Sequence, residues 1–401
     1  MPRALANGQV FIDGKLQRVD VAFDQTILAI GKNLSGEMID CAGKIILPGV
    51  IDVHVHFRDF SQSHKEDWQS GSRAAVKGGI TTVFDMPNND PPATTVEMLR
   101  EKRRRADASL VNGEIYGGLS AENVGHISEI AKIVDAFKLY LGETTGHMII
   151  SDKKLQREIV HRIAETGKVL SVHAQRGGVS PEEITEHEAE DLQYAIELAS
   201  QFKARLHLAH VTTKAGVETI LNAKRGGIDV SFETCPQYLF FSAEDRSKRE
   251  ALMKVNPPLA TISDRNFLWD ALRAGKIDMI ATDHAPHTIE EKNLAMEKAP
   301  SGLPGVEFVL PLLLDSVNKG KLSLERLVEV CGSRPALRFG IPKGEIKVGL
   351  DADLIVVDMS LRKTITRSDI ASKCGWSPYE SMMLQGWPVM TFVQGQLRFR
   401  I

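Results

Sequence analysis

From about residue 48 to 340 the chain alternates short apolar runs with amphipathic segments, and this alternation restricts its fold more than any other feature. Eight runs have strand character: 50–57, 81–86, 114–119, 136–141, 169–173, 205–211, 229–234 and 278–282. Between them lie helical patterns such as 155–165, 188–201 and 216–224. Helix-stop signals precede several strands, among them Lys77-Gly78-Gly79, Gly167-Lys168 and Arg225-Gly226-Gly227. Strands that alternate with helices form parallel β/α units. Eight such units predict an α/β protein with a closed (β/α)8 barrel of the TIM type. The competing arrangement is a doubly wound open sheet. No Gly-x-Gly-x-x-Gly opens a helix here, and the chemically loaded residues come from many strands, so the barrel is favoured.

The two ends read differently. Residues 1–47 contain short β-like runs at 9–12, 19–23, 27–30 and 44–47, with Gly, Asp and Asn between them. β character returns after 344, in 353–358 and again in 391–400. The expectation is a small β-sandwich domain made jointly by 1–47 and 344–401, beside a catalytic barrel of 48–343.

Bulk properties exclude several classes. A net charge of -3 argues against a protein built to neutralise a nucleic-acid backbone. The most basic run, 100–105, reads as a solvated helix face. Cys41, Cys235, Cys331 and Cys374 lack zinc-knuckle or redox spacing, so reduced thiols and a cytoplasmic location are expected. The N-terminus has no apolar signal-peptide core, and no apolar stretch approaches a membrane span.

Chemistry concentrates where the strands end. Asp52-Val53-His54-Val55-His56-Phe57-Arg58 follows a Pro-Gly turn. Side chains on a strand repeat every two residues, so His54 and His56 share a face and Arg58 continues it. Lys138 lies in the fourth strand, His173 ends the fifth, His210 the sixth, and Asp283 the eighth. Imidazoles and carboxylates gathered at one barrel mouth can hold divalent metal. His207 and His210 differ by three, so one regular strand cannot point both inward. His210, nearer the catalytic end, is taken as the ligand, and His207 as a packed imidazole. His64, His126, His147, His161 and His187 fall on helix or loop patterns and read as ordinary surface residues. Lys138 has two readings. One is an ion pair, with Glu143 as partner. The other is a lysine made neutral by burial and nearby cations, which reacts with carbon dioxide to give an anionic carbamate. Asp283, beside a metal, could shuttle protons.

These stretches, with Met86-Pro87-Asn88, Lys138-Leu139-Tyr140-Leu141, Asp283-His284-Ala285-Pro286-His287 and Gly302-Leu303-Pro304-Gly305, resemble the dihydroorotases of the amidohydrolase superfamily over essentially the whole chain. The resemblance implies two zinc ions per subunit, bridged by N6-carboxylated Lys138 and a hydroxide. His54, His56 and Asp283 would hold one ion, and His173 and His210 the other. Arg58, Asn88, Asn256 and His287 would bind substrate, with Ser301 and Gly302 offering main-chain groups. Asp283 would be the proton shuttle in the reversible cyclisation of N-carbamoyl-L-aspartate to L-dihydroorotate, a step of pyrimidine biosynthesis. Thr144 resembles a residue of a loop that closes over substrate. The resemblance also implies a homodimer or a complex with aspartate transcarbamoylase as possible partners.

The chain departs from many relatives in three places: Lys138 stands where they have aspartate, Asp59-Phe60 where they have Glu-Pro, and Ala260 where they have arginine. Two alternatives compete. Hydantoinases, dihydropyrimidinases and allantoinases share the metal set, but their substrates need no carboxylate clamp like Arg58. A non-catalytic assembly subunit would be expected to have lost ligands that this chain retains. Glu233 is weighed as an additional metal ligand against a core hydrogen bond, and the hydrogen bond is favoured.

Overall fold

The computed structural model describes residues 2–142, 148–176, 181–245 and 250–401. The expectations placed on Glu143, Thr144 and His147 lie outside the described residues.

The first 48 residues supply seven strands: β1 (Arg3–Ala6), β2 (Gln9–Ile12), β3 (Lys15–Gln17), β4 (Asp20–Phe23), β5 (Ile27–Gly31), β6 (Glu37–Asp40) and β7 (Ile45–Pro48). Short β-rich runs broken by Gly, Asp and Asn turns make strands too small to stand alone. They find partners at the far end of the chain, in β16 (Leu354–Thr364), β17 (Met383–Val393) and β18 (Gln396–Arg400). One sheet, β5-β4-β1-β6, is N-terminal; the other, β18-β17-β16-β7-β2-β3, mixes both ends. Its junction is the antiparallel pair β7–β16, with Leu47 opposite Ile355. The two sheets enclose a core of Leu5, Val21, Phe23, Ile46, Val356 and Phe392. The Phe23 and Phe392 rings meet edge-on at 5.3 Å, a favoured aromatic geometry. The β-sandwich built from both termini is thus present. The sequence reading missed β1, β3 and β6.

The barrel strands are β8 (Val50–Val55), β9 (Ile80–Asp85), β10 (Asn112–Gly118), β11 (Ala136–Tyr140), β12 (Val169–His173), β13 (Arg205–Leu208), β14 (Val230–Thr234) and β15 (Met279–Ile280). They pair in chain order, parallel throughout. β8, β9, β11, β12 and β14 are buried along their whole length. Such strands read as continuous apolar runs because helices cover one face and the barrel core the other. The intervening helices begin and end on recognisable caps. Asp67 caps Trp68–Lys77, Asp152 caps Lys153–Thr166 before Gly167 ends it in the left-handed region, and Thr213 caps Lys214–Arg225.

Helix Val96–Asp107 corrects one expectation. Its basic run is not a solvated face throughout, because Lys102 is fully buried. All four cysteines are buried and free. Among the described residues no helix is long and apolar enough to cross a membrane.

The last strand is short, and the seam with β8 is completed by other means. Val55 and His284 form a parallel bridge, and His56 N–H donates to the His284 carbonyl at 2.8 Å. Buried Asp52 accepts from Thr282 N–H at 3.0 Å and from Thr282 Oγ at 2.6 Å. Burial pushes the Asp52 carboxyl up to about 7 against these hydrogen bonds. Thr282 Oγ also accepts from His284 N–H at 3.0 Å. Thr282→Val removes both contacts while keeping the side-chain shape, leaving buried polar groups unpaired. The expected loss is about 1–3 kcal/mol, read as a lower urea midpoint with an unchanged slope. An unchanged midpoint would show that the seam does not depend on this hydroxyl.

Candidate metal centre

The strand order determines which side chains meet. β8 ends at Val55, so His54 lies on its last turn of pleat and His56 just beyond. Asp283 arrives from the other side of the seam, three residues after β15. One ligand atom from each of His54, His56 and Asp283 falls within 4.8 Å of the others. Asp283 Oδ1 lies 3.0 Å from His56 Nε2 and 3.2 Å from His54 Nε2. A second pair stands beside this group. His173, the last residue of β12, places Nδ1 2.8 Å from His210 Nε2. The His54 and His210 rings are 5.5 Å apart, which joins the pair to the trio.

His210 arrives by an irregular path. β13 stops at Leu208, and His210 has φ of +39°. The two-residue alternation used to choose between His207 and His210 therefore does not extend to His210. His207 is packed inside, with Nδ1 2.9 Å from Ser231 Oγ and Nε2 2.9 Å from Glu233 Oε2. Among the described residues, His126 and His161 are exposed on the surface.

Lys138 stands on β11 and is 1 % exposed. Its Nζ meets no hydrogen-bond acceptor among the described residues. It lies 5.4 Å from the Tyr140 ring centroid. Burial brings its ammonium down to about 8, against the pull of Glu233 and Asp283. The other groups follow the same physics. Burial pushes the His56 imidazolium down to about 4 despite Asp283. Burial and then His173 and Lys138 hold His210 well below the ordinary histidine range. For Asp283 burial alone would raise the carboxyl, but His54, His56 and Lys138 outweigh it and keep it lowered.

Glu233, weighed as a further ligand, lies behind the metal group. Its Oε1 contacts His54 Nδ1 and its Oε2 contacts His207 Nε2. Both oxygens are engaged, so the hydrogen-bonding role is the observed one. A carboxylate on the far ring nitrogen selects the tautomer and aims the other nitrogen at the metal. Asn88 does the same for His56: its Oδ1 is 2.7 Å from His56 Nδ1, so at least one of its roles is to orient a candidate ligand.

The remaining predicted residues lie in the segments that follow β8, β14 and β15. Arg58 is buried; its Nε donates to the Pro286 carbonyl at 3.2 Å, and its Nη2 lies 3.0 Å from His287 Nε2. His287 Nε2 is 3.1 Å from the Ser301 carbonyl. Burial, then Arg58, Lys65 and Lys292, keep His287 neutral far below the usual range. Gly302 has φ of +143°, and a Cβ there would lie 2.4 Å from the Ala285 carbonyl, so glycine is required. Its main-chain groups are held within the protein. The N–H donates to Lys254 O at 3.0 Å, and the carbonyl accepts from Lys292 Nζ at 3.1 Å. Asn256 follows Lys254 by two residues on that same segment.

Lys292 was not found from the sequence. Its buried ammonium also donates to Lys254 O at 2.9 Å and Pro300 O at 3.0 Å, tying the two loops together. In Glu290-Glu291-Lys292 it looks like any solvent-facing helix residue, and no local signal distinguishes it.

The chain is similar to known proteins over most of its length. Residues 45–398 match the amidohydrolase family model. A dihydroorotase of Halobacterium salinarum is 38% identical over 405 residues, spanning 96% of this chain and 94% of its own length. A dihydroorotase of Pyrococcus abyssi is 40% identical over 364 residues, spanning 88% of this chain and 83% of its own. Among solved structures, the L-hydantoinase (dihydropyrimidinase) of Arthrobacter aurescens superposes with a TM-score of 0.93 at 31% identity, over 99% of this chain and 96% of that one. With the match covering barrel and C-terminal β strands alike, and a His-His-Asp group at the barrel mouth, the chain belongs to the amidohydrolase family and is a cyclic amide hydrolase.

Proposed function

We propose that this protein is a dihydroorotase, catalysing the reversible cyclisation of N-carbamoyl-L-aspartate to L-dihydroorotate. The observation that carries this reading is the buried Arg58 guanidinium beside His287, four residues along the chain from His54. A planar, permanently charged fork suits an α-carboxylate. Hydantoins and dihydropyrimidines carry no such group, although the solved hydantoinases share the fold. The dihydroorotases among the relatives extend over nearly the whole chain.

The donor set fits divalent metal. His54, His56 and Asp283 already converge, and the His173–His210 pair adjoins them. The buried Lys138 Nζ without a described acceptor is the observation that favours its N6-carboxylated form as a bridge between two zinc ions. Bound zinc supplies Lewis acidity toward the amide carbonyl and lowers the pKa of water to roughly 7. The protein's own residues do the rest. Arg58 and Asn88 hold the α-carboxylate, with His287 and Asn256 beside it. Asp283, kept ionised at neutral pH, takes a proton from the attacking water and delivers it to the leaving ureido nitrogen in hydrolysis. In synthesis it removes a proton from that nitrogen. Glu233 and Asn88 hold His54 and His56 in one tautomer, so neither imidazole must reorient. Assembly as a homodimer, or with an aspartate transcarbamoylase, is proposed on the family resemblance and is tested by the mass of the purified particle.

Turnover of dihydroorotate against a simple hydantoin, at matched metal content, separates the two substrate classes; a preference for the hydantoin would sink the reading. Asp283→Ala should lower the rate in both directions by about 100- to 10,000-fold, the range for a positioned acid–base group. Appreciable residual turnover would remove it as the proton shuttle. Arg58→Met should raise KM for N-carbamoyl-L-aspartate about 10- to 100-fold, as expected for losing charge-assisted hydrogen bonds, with metal content unchanged. Lys138→Ala should lower the bound metal, with part of the loss restored by short carboxylic acids. Full metal retention in that variant would leave Lys138 as an ion-pairing residue.

A further inference from the structure

Arg58 stands beyond β8 with φ of +57°, and Asp59 and Phe60 follow at +58° and +49°. Non-glycine residues stay in the left-handed region only where their surroundings over-determine it. Here the surroundings are specific. Phe57 N–H donates to Asp85 Oδ1 at 2.6 Å, and the Arg58 carbonyl accepts from Asn89 Nδ2. The two contacts bracket Arg58 on both sides.

Both bracketing residues are held by one side chain from helix Val96–Asp107. Lys102 Nζ lies 2.6 Å from Asp85 Oδ2. It donates to Asn89 Oδ1 at 2.8 Å and to the Met86 carbonyl. Two of these contacts are hydrogen bonds and the third, to Asp85, is an ion pair. Lys102 and Asp85 are both 0% exposed. The same helix grips the rest of the turn: Arg105 pairs with Asp59 at 2.8 Å and lies 4.5 Å from the Phe60 ring centroid. A buried ion pair is weak evidence of stability, since similar apolar groups often serve as well. What this pair provides is a fixed position for Asp85 and Asn89.

We propose that Lys102 is a positioning residue for substrate recognition, locking the Phe57–Arg58 backbone through Asp85 and Asn89 so that Arg58 points at the carboxylate. The inference rests on Arg58 being the carboxylate clamp. Lys102 is fully buried and its ammonium is engaged by protein groups, so its proposed influence is indirect, through Asp85 and Asn89 to Arg58.

The test is steady-state kinetics with N-carbamoyl-L-aspartate, with metal content, on the full-length enzyme. Asn89→Ala and Lys102→Met should each raise KM by about tenfold with kcat changed less than about threefold, the pattern of lost ground-state binding. Each should add little in an Arg58→Met background, because the effects share one route. Asn89→Ala keeps the buried ion pair and decides the matter if Lys102→Met does not fold. Unchanged KM in folded Asn89→Ala overturns the proposal, as does full additivity with Arg58→Met. Unchanged KM in Arg58→Met alone would instead overturn the clamp reading and the proposal with it, which keeps the two failures distinct.

Discussion

Closing the eight-stranded sheet on itself is the constraint on which the site depends. Asp283 and His56 are separated by 227 positions in the chain, yet their polar atoms lie 3.0 Å apart. Only the seam between β8 and the segment after β15 makes that contact. The seam is not a regular ladder, since β15 has two residues. Side-chain hydrogen bonds from Thr282 to Asp52 and the His56–His284 main-chain bond replace the missing rungs. A seam closed by side chains leaves the backbone around Asp283 free to depart from strand geometry. It does, with φ of +47°.

That departure recurs at three of the residues proposed to act. Arg58, His210 and Asp283 all have positive φ, at +57°, +39° and +47°. Each lies just past the end of a barrel strand, where pairing with the neighbours ends. Strained backbone persists when surrounding contacts fix it, and such contacts are visible at each place. Asp85 and Asn89 bracket Arg58. Glu233 Oε1 accepts from His210 N–H at 3.4 Å. His56 and His54 hold the Asp283 carboxylate.

The same departure marks what the amino-acid sequence could and could not reveal. All eight barrel strands were legible, most of them because burial on both faces favours apolar runs, the others from their place in the β/α alternation. The convergence of His54, His56 and Asp283 was legible because they stand at or beside those runs. His210 was preferred to His207 because it lies nearer the strand's end; the strand stops at Leu208, so the alternation that set the two histidines apart does not extend to His210, which stands beside His173. β1, β3 and β6 were missed: they are strands by their pairing with β4, β2 and β1 respectively, which the local sequence does not report. Lys102 and Lys292 were missed for a different reason. Each sits on a helix among charged neighbours, and only the loop packed over it shows that its ammonium is buried. Composition and periodicity describe a residue's own element; they do not report what another element lays on top of it.

The protonation pattern of the buried groups completes the argument for a cation site. A metal requires imidazole lone pairs, so its histidine ligands must be neutral. Burial keeps the His56 imidazole neutral above about pH 4, and holds His210 lower than a free imidazole. Carboxylates must be the reverse, charged in spite of burial. Asp283 and Glu233 are both held below the ordinary range, each because imidazoles and a hydrogen-bonded neighbour outweigh desolvation. Burial thus favours the neutral form of His56 and His210, while Asp283 and Glu233 keep the ionised form in spite of burial.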